Sequence, residues 1–164
     1  MSQSVCSYAA LRRAARRLGQ LYDDVLAPSG LRATQFSLLS QIARNEGASM
    51  GTLADTMVMD RSALGHTLTP LRRAGLVALM ADDQERRSKR VVLTETGRTR
   101  LMMARTMWRE AQGRFDAAYG ADDAASFRKM LDRVSSAAFA TSFMAADRVP
   151  PVAAPLPTSV DEVT

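Results

Sequence analysis

The residues best equipped for recognition chemistry lie between Ser49 and Lys89. Ser62, His66, Thr69 and Arg73 recur at spacings of four, three and four, which sets them along one face of a helix. Leu64, Leu68 and Leu71 share a roughly opposite face, so the leucines point to a core and the polar set to solvent or a ligand. Asp60 stands where an N-cap is needed, with Arg61 and Gly65 in the turns that follow. Farther on, Arg86, Arg87, Ser88 and Lys89 make a basic cluster in a segment too charged to bury. A helix N-terminus offers free N–H groups to phosphate, and hydroxyls bond phosphate or base edges. An arginine on a narrow tip suits the negative potential of an A/T-rich minor groove. This chemistry is that of a surface that reads duplex DNA. For His66 and Arg73 a plain solvated face explains the same geometry, and Arg61 can equally pair with Asp60.

Catalysis has little to stand on. There is one histidine, no Gly-rich phosphate loop and no G-x-S-x-G, so no nucleophile, base and orienting group can be named together. Asp82, Asp83 and Glu85 resemble a carboxylate site, but on an exposed charged loop they read as solvated. No Cys/His cluster has metal spacing, and neither a metal nor a cofactor is expected. The expectation is a protein that is not an enzyme.

Composition agrees. In 164 residues Lys and Arg outnumber Asp and Glu by 22 to 17, a net charge of +5 that favours polyanionic partners without specifying one. A lone cysteine, Cys6, excludes an intrachain disulfide and fits a reducing, cytoplasmic setting. Arg12, Arg13, Arg16 and Arg17 sit where a signal peptide would be apolar, and no apolar run approaches the roughly 18 residues that span a bilayer. No membrane partner is expected.

Around the polar face the pattern predicts mostly helix. Tyr8, Leu11, Ala15, Leu18, Tyr22 and Val25 mark an amphipathic helix from Ser7 to Leu26, stopped by Pro28-Ser29-Gly30. Thr34 is placed as N-cap of a second helix carrying Phe36, Leu38, Leu39 and Ile42. Ser49 caps a short third helix, Val58-Met59 turns the chain, and the leucine helix ends at Gly75. Pro70 inside it predicts a kink or a local 3₁₀ turn. Leu76–Met80 and Arg90–Leu93 are β-prone runs flanking the charged tip, a hairpin. Thr94 caps a long helix to about Ala118, and Asp122 caps a last one carrying Phe127, Met130, Leu131, Val134, Ala138 and Phe139. Beyond Asp147 four prolines stand among small and polar residues, the composition of a disordered tail over 147–164.

The fold class is therefore mainly α with a small β-hairpin wing: a winged helix-turn-helix over about 34–97, with dimerisation helices over about 7–27 and 98–144, in one domain of residues 1–146. The terminal helices carry more apolar surface than one small winged helix can cover, so they are expected to bury each other across a two-fold axis. Such a homodimer calls for a near-palindromic site, its half-site centres about 10 base pairs apart or a multiple of that.

Leu31-Arg32-Ala33-Thr34-Gln35-Phe36, Leu53-Ala54, Asp60-Arg61-Ser62-Ala63-Leu64 and Leu71-Arg72-Arg73-Ala74-Gly75-Leu76-Val77 occur in that order. Arg86-Arg87-Ser88-Lys89 then leads into Val92-Leu93-Thr94-Glu95-Thr96-Gly97. In these pieces and their spacing, from about Ser7 to Phe143, the chain resembles the MarR (multiple antibiotic resistance regulator) family of dimeric winged-helix transcription regulators. The resemblance implies a DNA-binding regulator, a repressor released by a small effector. Ser49, Asp60, Arg61, Ser62, Gly65, His66, Thr69, Arg73, Arg86, Arg87, Ser88 and Lys89 then make up its DNA surface. Proline is common in that family at the place of Pro70. The family's wing usually carries Asp-x-Arg; here Glu85 and Arg87 match, and Glu for Asp departs from the pattern.

The resemblance also implies a route of release. For a cleft that takes an aromatic, anionic effector, Tyr22, Phe36, Met107 and Trp108 offer an apolar wall and Arg16 a cation; core packing is the alternative for the wall. For a peroxide-responsive branch of the same fold, Cys6 near the start of the first helix is the redox candidate, about half a turn out of register, and an inert buried residue is the alternative. A winged helix that binds only protein, with Arg86, Arg87, Lys89 and Arg90 facing acidic side chains, is the remaining functional class.

Overall fold

The computed structural model describes residues 6–81 and 89–146. Within them the order is α1 (Ser7–Leu26), a 3₁₀ turn (Ala27–Ser29), α2 (Ala33–Arg44), α3 (Met50–Thr56), α4 (Arg61–Arg73), β1 (Val77–Ala81), β2 (Lys89–Leu93), α5 (Glu95–Tyr119), α6 (Ala121–Val134) and α7 (Ala137–Ala145). This is the expected class, a mostly helical chain with one antiparallel hairpin in winged-helix order.

Packing divides the chain into two compact units between Ala121 and Asp122, where the sequence suggested one domain to residue 146. Gly120, at φ 91, ends α5 there, a backbone conformation open to glycine.

In the first unit α2, α3 and α4 enclose a core with the hairpin and α5. Leu38, Leu39 and Ile42 of α2, Leu53 and Ala54 of α3, and Leu64, Leu68 and Leu71 of α4 are buried together with Val77, Val91, Leu93 and Leu101. Each leucine so buried contributes roughly 1.5–3 kcal/mol, so the leucine face alone fixes which side of α4 is left outside. β1 pairs with β2 from Val77 opposite Leu93 to Ala81 opposite Lys89. The chain before α3 adds a short third rung: Ser49 bridges Arg90, and the Val91 N–H donates to the Ala48 carbonyl at 3.3 Å. The wing is thereby tied to the helix pair it accompanies.

Capping follows local chemistry at three of the predicted starts. Ser49 Oγ accepts from the Thr52 N–H at 3.1 Å, Asp60 Oδ1 from the Ala63 N–H at 2.7 Å, and Thr94 Oγ1 from the Gly97 N–H at 3.0 Å. At α2 the expectation fails, because Thr34 lies inside the helix. Asp23 Oδ1, reaching over from α1, accepts the Ala33 N–H at 2.6 Å, and Gln35 Oε1 accepts the Arg32 N–H at 2.9 Å, so these two donors are met without Thr34.

No 3₁₀ turn forms at Pro70, and α4 runs as α-helix from Arg61 to Arg73. Pro70 stands within the last turn, and the carbonyl it leaves without an intrahelical N–H belongs to exposed His66, which water can serve. Gly75, at φ 68, then turns the chain into β1.

The second unit holds most of α6 and all of α7. Asp122 and Asp123 lie in the first turn of α6, where negative charge suits the helix dipole. The single last helix read from the sequence is broken: Ser136 Oγ accepts the Phe139 N–H at 3.1 Å and starts α7 afresh. Phe139, Phe143 and Met144 of α7 are exposed. The tail expected over 147–164 lies outside the described residues.

Candidate nucleic-acid interface

α4 carries the polar strip that the spacing predicts. Ser62, His66 and Arg73 are exposed and Thr69 is half-buried, above a leucine face that is wholly buried. Ser62 and Arg73 are eleven positions apart, about 16 Å along the axis at 1.5 Å per residue. That length suits a helix lying in a major groove.

The hydroxyls differ in what they have left to offer. Ser62 is exposed at the first turn of α4, whereas the Thr69 hydroxyl donates to the Gly65 carbonyl at 2.9 Å. Thr69 can then accept from a base amine but has no proton to give a phosphate. Gly65 is half-buried, and a Cβ built there would meet nothing within 4 Å. The helix backbone is consequently open to close approach between Ser62 and Thr69.

Other members of the predicted surface are held by the fold. Ser49 Oγ caps α3 and lies 3.0 Å from Thr52 Oγ1. Asp60 caps α4, and its carboxylate takes the Ala63 N–H, one of the donors that a phosphate would otherwise use there. Arg61 lies over Gly51 of α3, where a Cβ would meet its guanidinium at 2.9 Å. Arg73, with Thr69 and Arg72, edges a surface hollow of about 480 Å³ that β1 completes through Val77, Ala78 and Leu79. Lys89 is exposed at the start of β2. Arg86, Arg87 and Ser88, with Asp82, Asp83 and Glu85, lie outside the described residues.

A second candidate site is a cavity of about 490 Å³ between α1, α2 and α5. Tyr22, Phe36 and Trp108 line it, and the Phe36 and Trp108 rings stack at 5.8 Å between centroids with 21° between planes. Arg16 and Met107 do not line it, contrary to the sequence expectation. Six positions separate Arg16 from Tyr22, about 240° round the helix, so the two face different ways. Met107 packs against the core instead. The cations come from elsewhere: Arg44 at the end of α2, and Arg105 and Arg109, which share a face of α5 with Trp108. Ser37, Ser40 and Gln41 complete the α2 wall. The spacing Ser37, Ser40, Gln41, Arg44 is a helical polar stripe, and it was the signal in the sequence that could have found them.

Cys6 is exposed, just before α1, so the inert buried alternative does not hold. Among the described residues no group of three His, Cys, Asp or Glu could hold a metal ion, and no helix is long and apolar enough to cross a membrane.

Comparison with known proteins gives concordant results. A family model described as the MarR family matches residues 29–88. An HTH-type transcriptional repressor of Mycobacterium tuberculosis is 31% identical over 111 residues, covering 68% of this chain and 80% of the relative. Among solved structures, the M. tuberculosis transcriptional regulator MosR in complex with DNA superimposes with a TM-score of 0.74 at 40% identity, covering 83% of this chain and 98% of that one. The transcriptional repressor CouR of Rhodococcus jostii RHA1, bound to a 23-mer DNA duplex, gives a TM-score of 0.73 at 27% identity, covering 81% and 94% respectively.

Proposed function

This chain belongs to the MarR family of transcriptional regulators, and we propose that it represses transcription by binding a near-palindromic operator as a homodimer. The observation that carries this reading is α4: an exposed strip of Ser62, His66, Thr69 and Arg73 backed by three fully buried leucines. In it α4 enters the major groove, Ser62 and His66 meet phosphate or base edges, and Thr69 accepts from a base. Arg86, Arg87, Ser88 and Lys89 follow the backbone into the minor groove. Asp60, Arg61 and Ser49 hold the two helices in the posture that presents this strip.

The homodimer rests on apolar surface. Tyr8, Leu11 and Leu21 of α1 are exposed, and Leu21 with Leu18, Val25, Ala111 and Phe115 lines a groove of about 260 Å³ between α1 and α5. Within the second unit, Phe139, Phe143 and Met144 leave α7 without a buried residue of its own. Patches of this kind mark association surfaces.

The cavity beside Trp108 is the effector site in this reading, and its occupation releases the operator. Tyr22, Phe36 and Trp108 give a flat apolar wall, and the arginines attract an anion. Oxidation of Cys6 is the competing route of release. Peroxide that frees the operator equally from wild type and from Cys6→Ser removes it.

Footprinting of genomic fragments retained by the protein, with the salt concentration varied, tests the whole. The expected result is a two-fold symmetric footprint whose affinity falls steeply with salt, because arginine and lysine contacts release counterions. A flat salt response would count against DNA and favour a partner protein.

A further inference from the structure

Resting on the reading of the cavity as the effector site, we infer that its ligand is an aromatic dianion, a flat ring bearing two carboxylates or one phosphate monoester. Three guanidinium groups line this one space, Arg44 from α2 and Arg105 and Arg109 from α5, and no Asp or Glu lines it with them. Among the described residues none of the three is paired with a carboxylate. All three side chains are exposed, so solvent screens part of their mutual repulsion, and together they attract anions most strongly at low salt. Two negative charges on one ligand can be shared between the cations of α2 and α5 and gain more from them than a single charge does.

The rest of the lining selects the ring. Phe36 and Trp108, stacked on one another, make a flat apolar wall, which fits a planar body better than a branched chain. Ser37, Ser40 and Gln41 supply neutral hydrogen-bonding groups beside the cations, enough to orient a carboxylate or phosphate without adding charge. Arg109 Nε donates to the Arg105 carbonyl at 3.3 Å, so one of the three guanidiniums is steadied along α5. A volume of about 490 Å³ has room for a disubstituted ring.

Trp108 is the only tryptophan, so its fluorescence reports this cavity directly. The full chain at pH 8 and low salt is titrated with benzoate, isophthalate, phenyl phosphate and inorganic phosphate. At least one of the two aromatic dianions is expected to bind about tenfold tighter than benzoate, and which one does so distinguishes dicarboxylate from phosphate ester. Inorganic phosphate is expected to bind more weakly than phenyl phosphate. Arg105→Gln should reduce the preference for dianions while changing benzoate affinity less, and Arg13→Gln, the same loss of charge on an exposed part of α1, should preserve it. Benzoate binding as tightly as both dianions overturns the inference and leaves the effector reading intact, as does phosphate matching its phenyl ester. Quenching by none of the four overturns the effector reading and the inference together.

Discussion

The Thr94 hydroxyl donates to the Gly75 carbonyl oxygen at 2.6 Å, and Thr94 Oγ1 in turn accepts the Gly97 N–H at 3.0 Å. One side chain thus joins the glycine that ends α4 to the first turn of α5, and the Thr94 N–H adds a bond to the Leu76 carbonyl at 3.1 Å. The polar strip, the root of the wing and the long helix meet at this point. Thr94→Val keeps the shape and removes both hydroxyl bonds. It is expected to cost roughly 1–2 kcal/mol, seen as a Tm lower by several degrees in thermal unfolding. Thr94→Ser should recover most of it.

Gly97 has no room for a side chain. A Cβ there would stand 2.0 Å from the Leu76 carbonyl oxygen, which is backbone and cannot swing aside. Gly97→Ala should therefore force α5 away from β1 at a cost of about 3 kcal/mol or more. Gly113, on the same helix, meets nothing within 4 Å, and Gly113→Ala should stabilise by up to about 1 kcal/mol through helix propensity. Opposite signs in denaturant unfolding are the expected result; a stable Gly97→Ala would mean that α5 does not seat on Leu76 in this way.

Much of the fold was legible because much of it is local. Ser49, Asp60 and Thr94 each accept an N–H three residues ahead, a relation that sequence displays directly. Leu64, Leu68 and Leu71 announce their buried face by spacing alone. The misses come from contacts that spacing cannot show. Asp23 caps α2 from ten residues away, and a serine in the middle of an apolar stripe, Ser136, starts a new helix. In the cavity the aromatic residues were found because they are apolar at helical spacing. Arg105 and Arg109 were missed because a charged residue beside an apolar stripe looks like solvated surface until a second helix faces it.

Val58 is the one described residue other than glycine with positive φ, at 52°, and its side chain is 71% exposed. A β-branched residue in the left-handed region is strained, and here burial returns little of that cost. Val58→Asn should relax the turn between α3 and α4 and raise stability by about 1 kcal/mol, since asparagine enters this conformation more readily. Chemical denaturation of the two proteins checks it. A lower midpoint for the variant would show that Val58 does not bear strain.

Arg87 lies in the charged segment between β1 and β2, and in the proposed complex it enters the minor groove. Arg87→Ala should weaken operator binding at least several-fold, in line with roughly 1–3 kcal/mol for a lost groove contact. Mobility-shift titration at fixed salt measures this. Lys89→Ala, which removes a phosphate contact, should instead weaken binding to specific and unrelated duplexes alike and reduce the salt slope by about one. An Arg87→Ala protein of unchanged affinity would take Arg87 out of the interface.

Gly65 separates reading from folding. It lies within α4 with open space where a Cβ would go, so in the free protein Gly65→Ala meets no clash and should gain up to about 1 kcal/mol of helix propensity. In the proposed complex that same open space is taken by the edge of the groove, close to Ser62 and Thr69, and an added methyl would hold the helix back. The expected outcome is a protein that melts later and binds its operator more weakly, with changes of opposite sign in the two measurements. A variant that is more stable and binds equally well would place the DNA along some other face of α4, and Ser62 and His66 would lose their assigned contacts with it.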